Sequence, residues 1–234
     1  MQIQWFPGHM HKARVQIKET LPKVDLVIEV LDARIPYSSE NPMLAELRGD
    51  KPCLKILNKA DLADPELVKV WLRFFEKQNG IKARPTTTED RGSIRQLTPL
   101  MSQMLPGKGE GKTITTMIAG IPNVGKSTII NILANKKVAK TGNEPAVTKG
   151  QQRINIGDGV TLLDTPGVLW PNVENIYSGY RLATICSIKE TAMDYADAAF
   201  FSAEFMIQHY QSRLMDRYGM EAVPSSAMDF IEEL

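Results

Sequence analysis

A glycine-rich stretch from Gly120 to Ser127, the phosphate loop, holds the residues with the clearest chemical potential. It fits the pattern G-x-x-x-x-G-K-[ST], follows a strand-like run and leads into a helix-like run. Its glycines allow turns in which consecutive N–H groups and a helix N-terminus point at phosphate oxygens. We expect Lys126 to reach the β- and γ-phosphates of a nucleotide and Ser127 to ligate Mg²⁺. The predicted nucleotide-binding positions of the loop are Asn123, Val124, Gly125, Lys126, Ser127 and Thr128.

The same stretch has a simpler interpretation, a glycine-rich turn between a strand and a helix that binds nothing. Such a turn needs neither the lysine at position 126 nor the hydroxyl group at position 127. The pattern therefore favours phosphate binding.

A second motif, Asn58-Lys59-Ala60-Asp61, follows a predicted buried strand. Ligands of open α/β sheets bind outside the carboxyl ends of the strands, so these side chains are expected at a ligand site. Asp61 can accept hydrogen bonds from the ring N–H and the exocyclic amine of guanine. Asn58 can support the base and the neighbouring loop, and the aliphatic stem of Lys59 can lie on the ring. Taken alone, the motif is better explained as a turn followed by a helix cap.

Two further elements complete a guanine-nucleotide site. Thr148 lies in a polar segment, residues 135–151, whose length without periodicity predicts a mobile functional loop. Asp164 and Gly167 belong to an Asp-Thr-Pro-Gly stretch at the end of a predicted strand. We expect Thr148 and Ser127 on Mg²⁺, Asp164 on a water of that ion, and the N–H of Gly167 at the γ-phosphate. A P-loop ATPase is the alternative, but it leaves the Asn-Lys-x-Asp motif without a role.

The hydrophobic pattern of the elements that carry these motifs predicts an α/β fold with a mostly parallel sheet and flanking helices. The phosphate loop and the guanine motif make this expectation a P-loop GTPase fold. The predicted strands are 24–31, 52–57, 113–118, 152–156 and 160–163, and a further short strand is expected just before Thr86. The predicted helices are 10–21, 65–78, 93–104, 127–133, 180–186, 196–214 and 227–234. Pro36–Pro42 is expected to be a loop. We predict a GTPase domain over residues 1–170 and a helical C-terminal region over 171–234.

The composition excludes several classes of protein. The chain has 234 residues and a net charge of +1, which does not by itself indicate a nucleic-acid binder. Cys53 and Cys186 lie far apart, so neither a disulfide framework nor a zinc site is indicated. No apolar run reaches membrane-spanning length, and residues 1–10 lack the apolar stretch of a signal peptide. We expect a cytoplasmic protein with no membrane partner.

The order of the motifs along the chain is unusual. The Asn-Lys-x-Asp motif precedes the phosphate loop, whereas ordinary GTPases begin with the phosphate loop and end with the guanine motif. The chain therefore resembles a circularly permuted GTPase joined through the Gly-rich linker at 106–112. The chain closely resembles the RbgA/YlqF family of bacterial ribosome-biogenesis GTPases in this order of motifs. It also resembles that family in the sequences of the phosphate loop, Trp5–Met10 and Asp32–Pro36. The resemblance runs from about Gln4 through the helical tail.

The resemblance implies a GTP-hydrolysing assembly factor for late maturation of the large (50S) ribosomal subunit. Such a factor binds the rRNA and proteins of the subunit, which stimulates its GTPase activity. We expect the chain to act as a monomer. The alternative is a GTP-gated module that binds RNA or protein and in which hydrolysis is incidental. Family members usually continue past a point like Leu234, so a shortened helical region is expected here.

The resemblance also implies roles for single residues. Val168 follows Asp-x-x-Gly, where many GTPases carry a water-positioning glutamine, and valine cannot orient water. By propensity alone His9 is a solvated residue at a helix start, but the resemblance implies that it substitutes for that glutamine. Asn123 matches the asparagine of potassium-stimulated members, in which K⁺ acts as a fixed positive charge. The guanine-supporting motif falls near Thr86–Thr88, with Thr87 as our candidate and the choice among the three open. The implied catalytic residues are His9, Lys126, Thr148 and Gly167.

Overall fold

The chain consists of two compact units. The computed structural model describes residues 8–108, 111–139, 152–171, 173–188 and 194–234. Phe6–Pro171 forms one unit, and Asn172–Leu234 belongs to the other. Every strand of the described residues lies in the first unit, whereas the second contributes helices.

A single sheet organises the first unit. Its strands are β1 (Leu26–Asp32), β2 (Cys53–Asn58), β3 (Ile81–Thr86), β4 (Ile114–Gly120), β5 (Gln152–Gly157) and β6 (Val160–Asp164). They lie in the order β3-β2-β1-β4-β6-β5. All neighbours are parallel except β5, which runs antiparallel to β6 at the edge. Every residue of β1 and β2 is buried, as expected of parallel strands that are covered on both faces.

Helices connect the strands and form the second unit. Those of the first unit are α1 (Gly8–Thr20), α2 (Pro36–Ser39), α3 (Pro42–Arg48), α4 (Pro65–Glu76), α5 (Arg91–Arg95), α6 (Leu97–Gln103) and α7 (Lys126–Leu133). Those of the second unit are α8 (Ile176–Thr184), α9 (Tyr195–His209), α10 (Gln211–Tyr218) and α11 (Ala227–Glu233). None of the helices that the structure describes is long and apolar enough to cross a bilayer.

The strand register brings polar residues together at the carboxyl edge of the sheet. Asp32 at the end of β1 pairs with Asn58 at the end of β2, and Asn58 pairs with Thr86 at the end of β3. On the other side of β4, Asp164 at the end of β6 pairs with Ile118. The sheet therefore aligns four polar side chains along the edge at which β4 enters the phosphate loop.

The predicted α/β fold, with its mostly parallel sheet and helical C-terminal region, is confirmed, but three local predictions were wrong. The segment Pro36–Pro42, predicted as a loop, contains α2, for which Pro36 supplies a favourable first residue. The helix predicted over 93–104 is divided into α5 and α6, because Pro99 has no N–H to donate to the carbonyl of the residue four positions earlier. The helix predicted over 196–214 is divided at Tyr210, whose φ of −138° is not helical.

The second unit has a small apolar core of its own. The side chains that form it come from α9, α10 and α11, and they are Ala203, Ile207, Leu214, Ala227 and Phe230. The aromatic rings of Tyr180 on α8 and Phe201 on α9 are stacked with their centroids 5.2 Å apart. The apolar periodicity of this part of the sequence therefore reflects packing between helices.

One buried hydroxyl group of the sheet leads to a stability prediction. Thr116 on β4 is fully buried, and among the described residues its Oγ1 has no hydrogen-bond partner. Valine has nearly the same shape and no hydroxyl group to desolvate. We expect Thr116→Val to increase the free energy of unfolding by about 1 kcal/mol, as measured by urea denaturation.

The matched control is Thr165, which is also buried but whose Oγ1 donates to the carbonyl oxygen of Ile118 at 2.9 Å. Thr165→Val removes a satisfied bond and should decrease the free energy of unfolding by about 1 kcal/mol. Equal destabilisation by the two substitutions would contradict the prediction.

Candidate functional site

The phosphate loop joins β4 to α7, and its course depends on two glycines. A Cβ atom on Gly120 would lie 2.5 Å from the carbonyl oxygen of Val30 on β1, so only glycine permits this approach of two backbones. Gly125 precedes α7 with a φ of 90°, and Lys126 is the first residue of the helix. The N-terminus of α7 and the N–H groups before it are thereby directed at a potential anion.

Lys126 and Asp164 form a buried ion pair beside the loop. The Lys126 Nζ lies 3.3 Å from Asp164 Oδ1, and the two side chains are 7% and 1% exposed. Among the described residues, neither carboxylate oxygen of Asp164 has a hydrogen-bond partner. Burial raises the pKa of Asp164 above its ordinary value, although Lys126 acts in the opposite direction. A buried carboxylate with unused acceptor capacity fits a residue that holds the water of a metal ion.

The segment that follows Asp164 returns to the phosphate loop. The Val168 N–H donates to the carbonyl oxygen of Gly120 at 3.1 Å. A Cβ atom on Gly167 would lie 3.1 Å from the Cα atom of Pro122, so the two segments pass each other closely. The side chain of Val168 is buried. Position 168 therefore offers no polar group to a water molecule at the phosphates.

Asn58 joins the Asn-Lys-x-Asp motif to the phosphate loop. Its Nδ2 donates to the carbonyl oxygen of Val124 at 2.7 Å, and its Oδ1 accepts from Thr86 Oγ1 at 3.1 Å. The residue is completely buried. A Cβ atom on Gly125 would lie 2.3 Å from Asn58 Nδ2, so the amide group fills the space that a side chain at position 125 would need. The Asn-Lys-x-Asp motif and the phosphate loop are therefore joined through the contacts of Asn58 with Val124 and Gly125, and we call this connection the interlock.

Lys59 makes a second connection between these motifs. Its Nζ donates to the carbonyl oxygen of Asn123 at 2.7 Å and lies 3.1 Å from Asp32 Oδ2. Asp32 also accepts from Arg34 Nε and Nη2, each at 2.8 Å. Burial raises the pKa of Asp32, but Arg34 and Lys59 together outweigh it and hold the pKa below its ordinary value. Asp32 is therefore ionised at neutral pH and anchors Lys59 over the loop.

The residues predicted to contact the base lie beside this connection. Asp61 is exposed in a short 3₁₀ turn, Ala60–Leu62, that follows β2, so its carboxylate is accessible to a ligand. Thr87 is half-buried, and its Oγ1 accepts from the N–H of Glu89 at 3.3 Å. Thr86 carries the bond to Asn58, whereas the role of Thr87 as the guanine support stays a prediction.

The other predicted residues are distributed as follows. Ser127 and Thr128 are half-buried in the first turn of α7. Asn123 is half-buried in the loop with a φ of 62°. His9 belongs to α1, but its side chain lies outside the described part of the structure, and so does the whole of Thr148.

Two contacts of the site involve residues that the sequence motifs did not single out: Asp32 had no predicted role, and Thr86 was one of three open candidates for the guanine support. Asp32 holds Lys59, and Thr86 holds Asn58. The available signal was their position, because each is the last residue of a strand that neighbours the one ending at Asn58. Polar residues at the carboxyl ends of adjacent parallel strands are candidates for one site.

Comparison with known proteins gives a consistent set of relatives. The family described as 50S ribosome-binding GTPase matches residues 115–218. The chain is 42% identical to Ribosome biogenesis GTPase A of Priestia megaterium, with 100% of this chain and 84% of the relative covered. It is 36% identical to Mitochondrial ribosome-associated GTPase 1 of Mus musculus, with 98% and 73% covered. Among solved structures, it resembles GNP-bound YlqF from T. maritima with a TM-score of 0.64 and 31% identity, covering 95% and 81% of the two chains.

The interlock predicts the effect of adding one methyl group to the phosphate loop. Gly125→Ala forces a Cβ atom against Asn58 Nδ2, so Asn58 must release Val124 or the loop must move. We expect the dissociation constant of GDP to increase at least about tenfold, measured by titration of a fluorescent GDP analogue.

Gly157→Ala is the matched control, because Gly157 has the same φ of 90°, whereas no heavy atom of the described residues lies within 4 Å of the added Cβ. It reproduces the backbone strain without the steric conflict and should leave the GDP affinity nearly unchanged. Equal losses of affinity in the two variants would show that a general effect of a strained alanine, and not the contact with Asn58, lowers the GDP affinity.

Proposed function

This chain belongs to the ribosome biogenesis GTPase A family, and from that premise we propose that it acts late in maturation of the large (50S) ribosomal subunit, which stimulates its turnover. The chain has a P-loop GTPase fold, hydrolyses GTP and has a role in ribosome assembly. The large subunit is supported by the description of the matching family, which names the 50S ribosome. The observation that carries the GTP site is the bond from Asn58 to the backbone of Val124, which fixes a base-reading motif on a phosphate loop.

The base and the phosphates of GTP are bound at opposite ends of this interlock. Asp61 accepts the two N–H groups of guanine, and the aliphatic stem of Lys59 lies along the ring. Lys126 and the N–H groups of the loop contact the phosphates, and the Gly167 N–H meets the γ-phosphate. When GTP binds, the Lys126 ammonium group exchanges its contact with Asp164 for phosphate oxygens.

Two cations would neutralise part of the negative charge of the phosphates in this site. Ser127 and Thr148 would hold Mg²⁺, and Asp164 would accept from a water of that ion, which suits buried oxygens that have no hydrogen-bond partner among the described residues. Mg²⁺ supplies charge neutralisation at the β- and γ-phosphates when bound. Asn123 would contribute to a K⁺ site at the same phosphates.

The water that attacks the γ-phosphate must be oriented by a residue other than Val168, which follows the Asp-x-x-Gly stretch. The side chain of Val168 is apolar and buried, so it cannot orient water. His9 fills this role by resemblance to the family. Without a bound subunit the water is poorly positioned and turnover is slow, and the large subunit completes the site.

The chain is a circular permutation of the usual GTPase order, with a GTPase domain over residues 1–170 and a helical region over 171–234. This is supported by the order of the elements, because β2 with its guanine motif precedes β4 and the phosphate loop in the chain. The protein works in the cytoplasm as a monomer, and its partners are the rRNA and proteins of the large subunit.

The role of His9 leads to a kinetic prediction. GTP turnover is measured in potassium buffer for the wild type and His9→Ala, each with and without purified large ribosomal subunits. We expect subunits to accelerate the wild type many-fold, and His9→Ala to keep its GTP affinity but lose at least about tenfold of the stimulated rate.

His11→Ala is the matched control, because His11 is an exposed histidine of the same helix. It should be stimulated as strongly as the wild type. Stimulation of His9→Ala to the wild-type rate would make His9 structural, whereas a wild type that saturating subunits fail to stimulate would favour a GTP-gated binding module.

A further inference from the structure

A buried asparagine outside the nucleotide motifs contacts the segment that follows Gly167. Asn41 is 3% exposed and immediately precedes α3. Its Nδ2 donates to the carbonyl oxygen of Val168 at 2.8 Å, across 127 positions of sequence. The proposed mechanism gives this contact no role. Val168 nevertheless directly follows Gly167, whose N–H is assigned to the γ-phosphate.

Asn41 is held firmly by its other polar groups. Its Oδ1 accepts from the N–H groups of Met43 and Leu44 at 3.1 and 3.4 Å, which caps the N-terminus of α3. Its own backbone N–H donates to Glu29 Oε1 at 3.0 Å. Rotation of the side chain toward another partner would break the cap, so the direction of Nδ2 is fixed.

A buried ion cluster fixes Glu29 in turn. The Lys55 Nζ contacts Glu29 Oε2 at 2.6 Å and Glu40 Oε1 at 2.8 Å. Burial lowers the pKa of Lys55, but Glu29 and Glu40 outweigh it, so the pKa lies above its ordinary value and the cluster stays charged. Breaking such a buried pair is costly, so β1 and β2 form a rigid base for Asn41.

Val168 is consequently held from two sides. Its carbonyl oxygen accepts from Asn41, and its N–H donates to the carbonyl oxygen of Gly120 at the start of the phosphate loop. Gly167 precedes it and lies against Pro122. Val168 can therefore leave its position, and change the direction of the adjoining Gly167, only if the bonds to Asn41 and Gly120 break or both partners move with it.

We propose that Asn41 is a positioning residue for the γ-phosphate contact: its amide group holds the backbone at Val168 so that the Gly167 N–H points at the γ-phosphate. The inference rests on the proposed contact between Gly167 and that phosphate. GDP has no γ-phosphate, so Asn41 contributes to the affinity for GTP and little to the affinity for GDP. A residue that only capped α3 would affect both nucleotides equally.

The test compares the affinities for GDP and a non-hydrolysable GTP analogue in the wild type, Asn41→Ser and Asn41→Asp. Serine and aspartate keep an oxygen that caps α3, but neither offers an amide donor to Val168. We expect the dissociation constant of the analogue to increase about five- to tenfold in both variants, and that of GDP to change less than about twofold.

Asp90→Ala is the matched control for loss of a cap. Asp90 accepts from the N–H groups of Gly92 and Ser93 at 2.9 and 3.2 Å and caps α5 in the same way. The melting temperature of Asp90→Ala shows how much stability is lost with a helix cap. The ratio of its dissociation constants for GDP and the analogue should equal that of the wild type.

The outcomes separate this inference from the proposal on which it rests. If the ratio of the two dissociation constants is unchanged in both Asn41 variants, whether or not both affinities fall, the positioning role is overturned. The wild-type affinities then remain as proposed. A wild type that binds neither nucleotide overturns both. Failure of one variant to fold leaves the other to decide, and failure of both shows that Asn41 is a structural cap and overturns the assignment.

Discussion

The site depends on one hydrogen bond, from Asn58 Nδ2 to the carbonyl oxygen of Val124. It joins two motifs that are 66 positions apart, and it requires glycine at position 125 because the amide group occupies the space of a Cβ atom there. Thr86 orients the amide from the neighbouring strand. Because all three groups are buried, water cannot replace the bonds if one is lost. The distance between the base-reading motif and the phosphate-binding loop is therefore set by the protein before a nucleotide arrives.

Two aspartates at the carboxyl edge of the sheet illustrate how local cations separate structural from functional carboxylates. Asp32 has two cationic partners within hydrogen-bond distance, so its pKa is lowered despite burial. Within the described part of the chain, Asp164 has Lys126 as its one cationic partner, at 3.3 Å, and burial raises its pKa. The first carboxylate is satisfied and holds Lys59, whereas the second keeps acceptor capacity beside the phosphate loop. Both residues are buried at the ends of parallel strands, and the neighbouring charges distinguish them.

Much of the fold and part of the site follow from the sequence. The strand and helix periods predict the sheet, and the two motifs at strand ends predict where a ligand binds. The sequence could not show that Thr86, and not its neighbours, orients Asn58, because this depends on the register of β2 against β3. It also could not show that Asn41 reaches Val168, since that contact depends on the packing of a capped helix start against a distant segment. Local pattern predicts elements, whereas these contacts depend on tertiary structure.

The most direct test of the account is a change of base specificity at Asp61, which the interlock holds beside the phosphate loop. Dissociation constants are measured for GDP and xanthosine diphosphate in the wild type and Asp61→Asn. Xanthine has a carbonyl group in place of the exocyclic amine of guanine, and asparagine can donate to it. The account predicts that the wild type prefers GDP and that Asp61→Asn prefers the xanthine nucleotide, each by at least about tenfold. Wild-type affinity of Asp61→Asn for GDP would contradict it, because the base would then be read elsewhere.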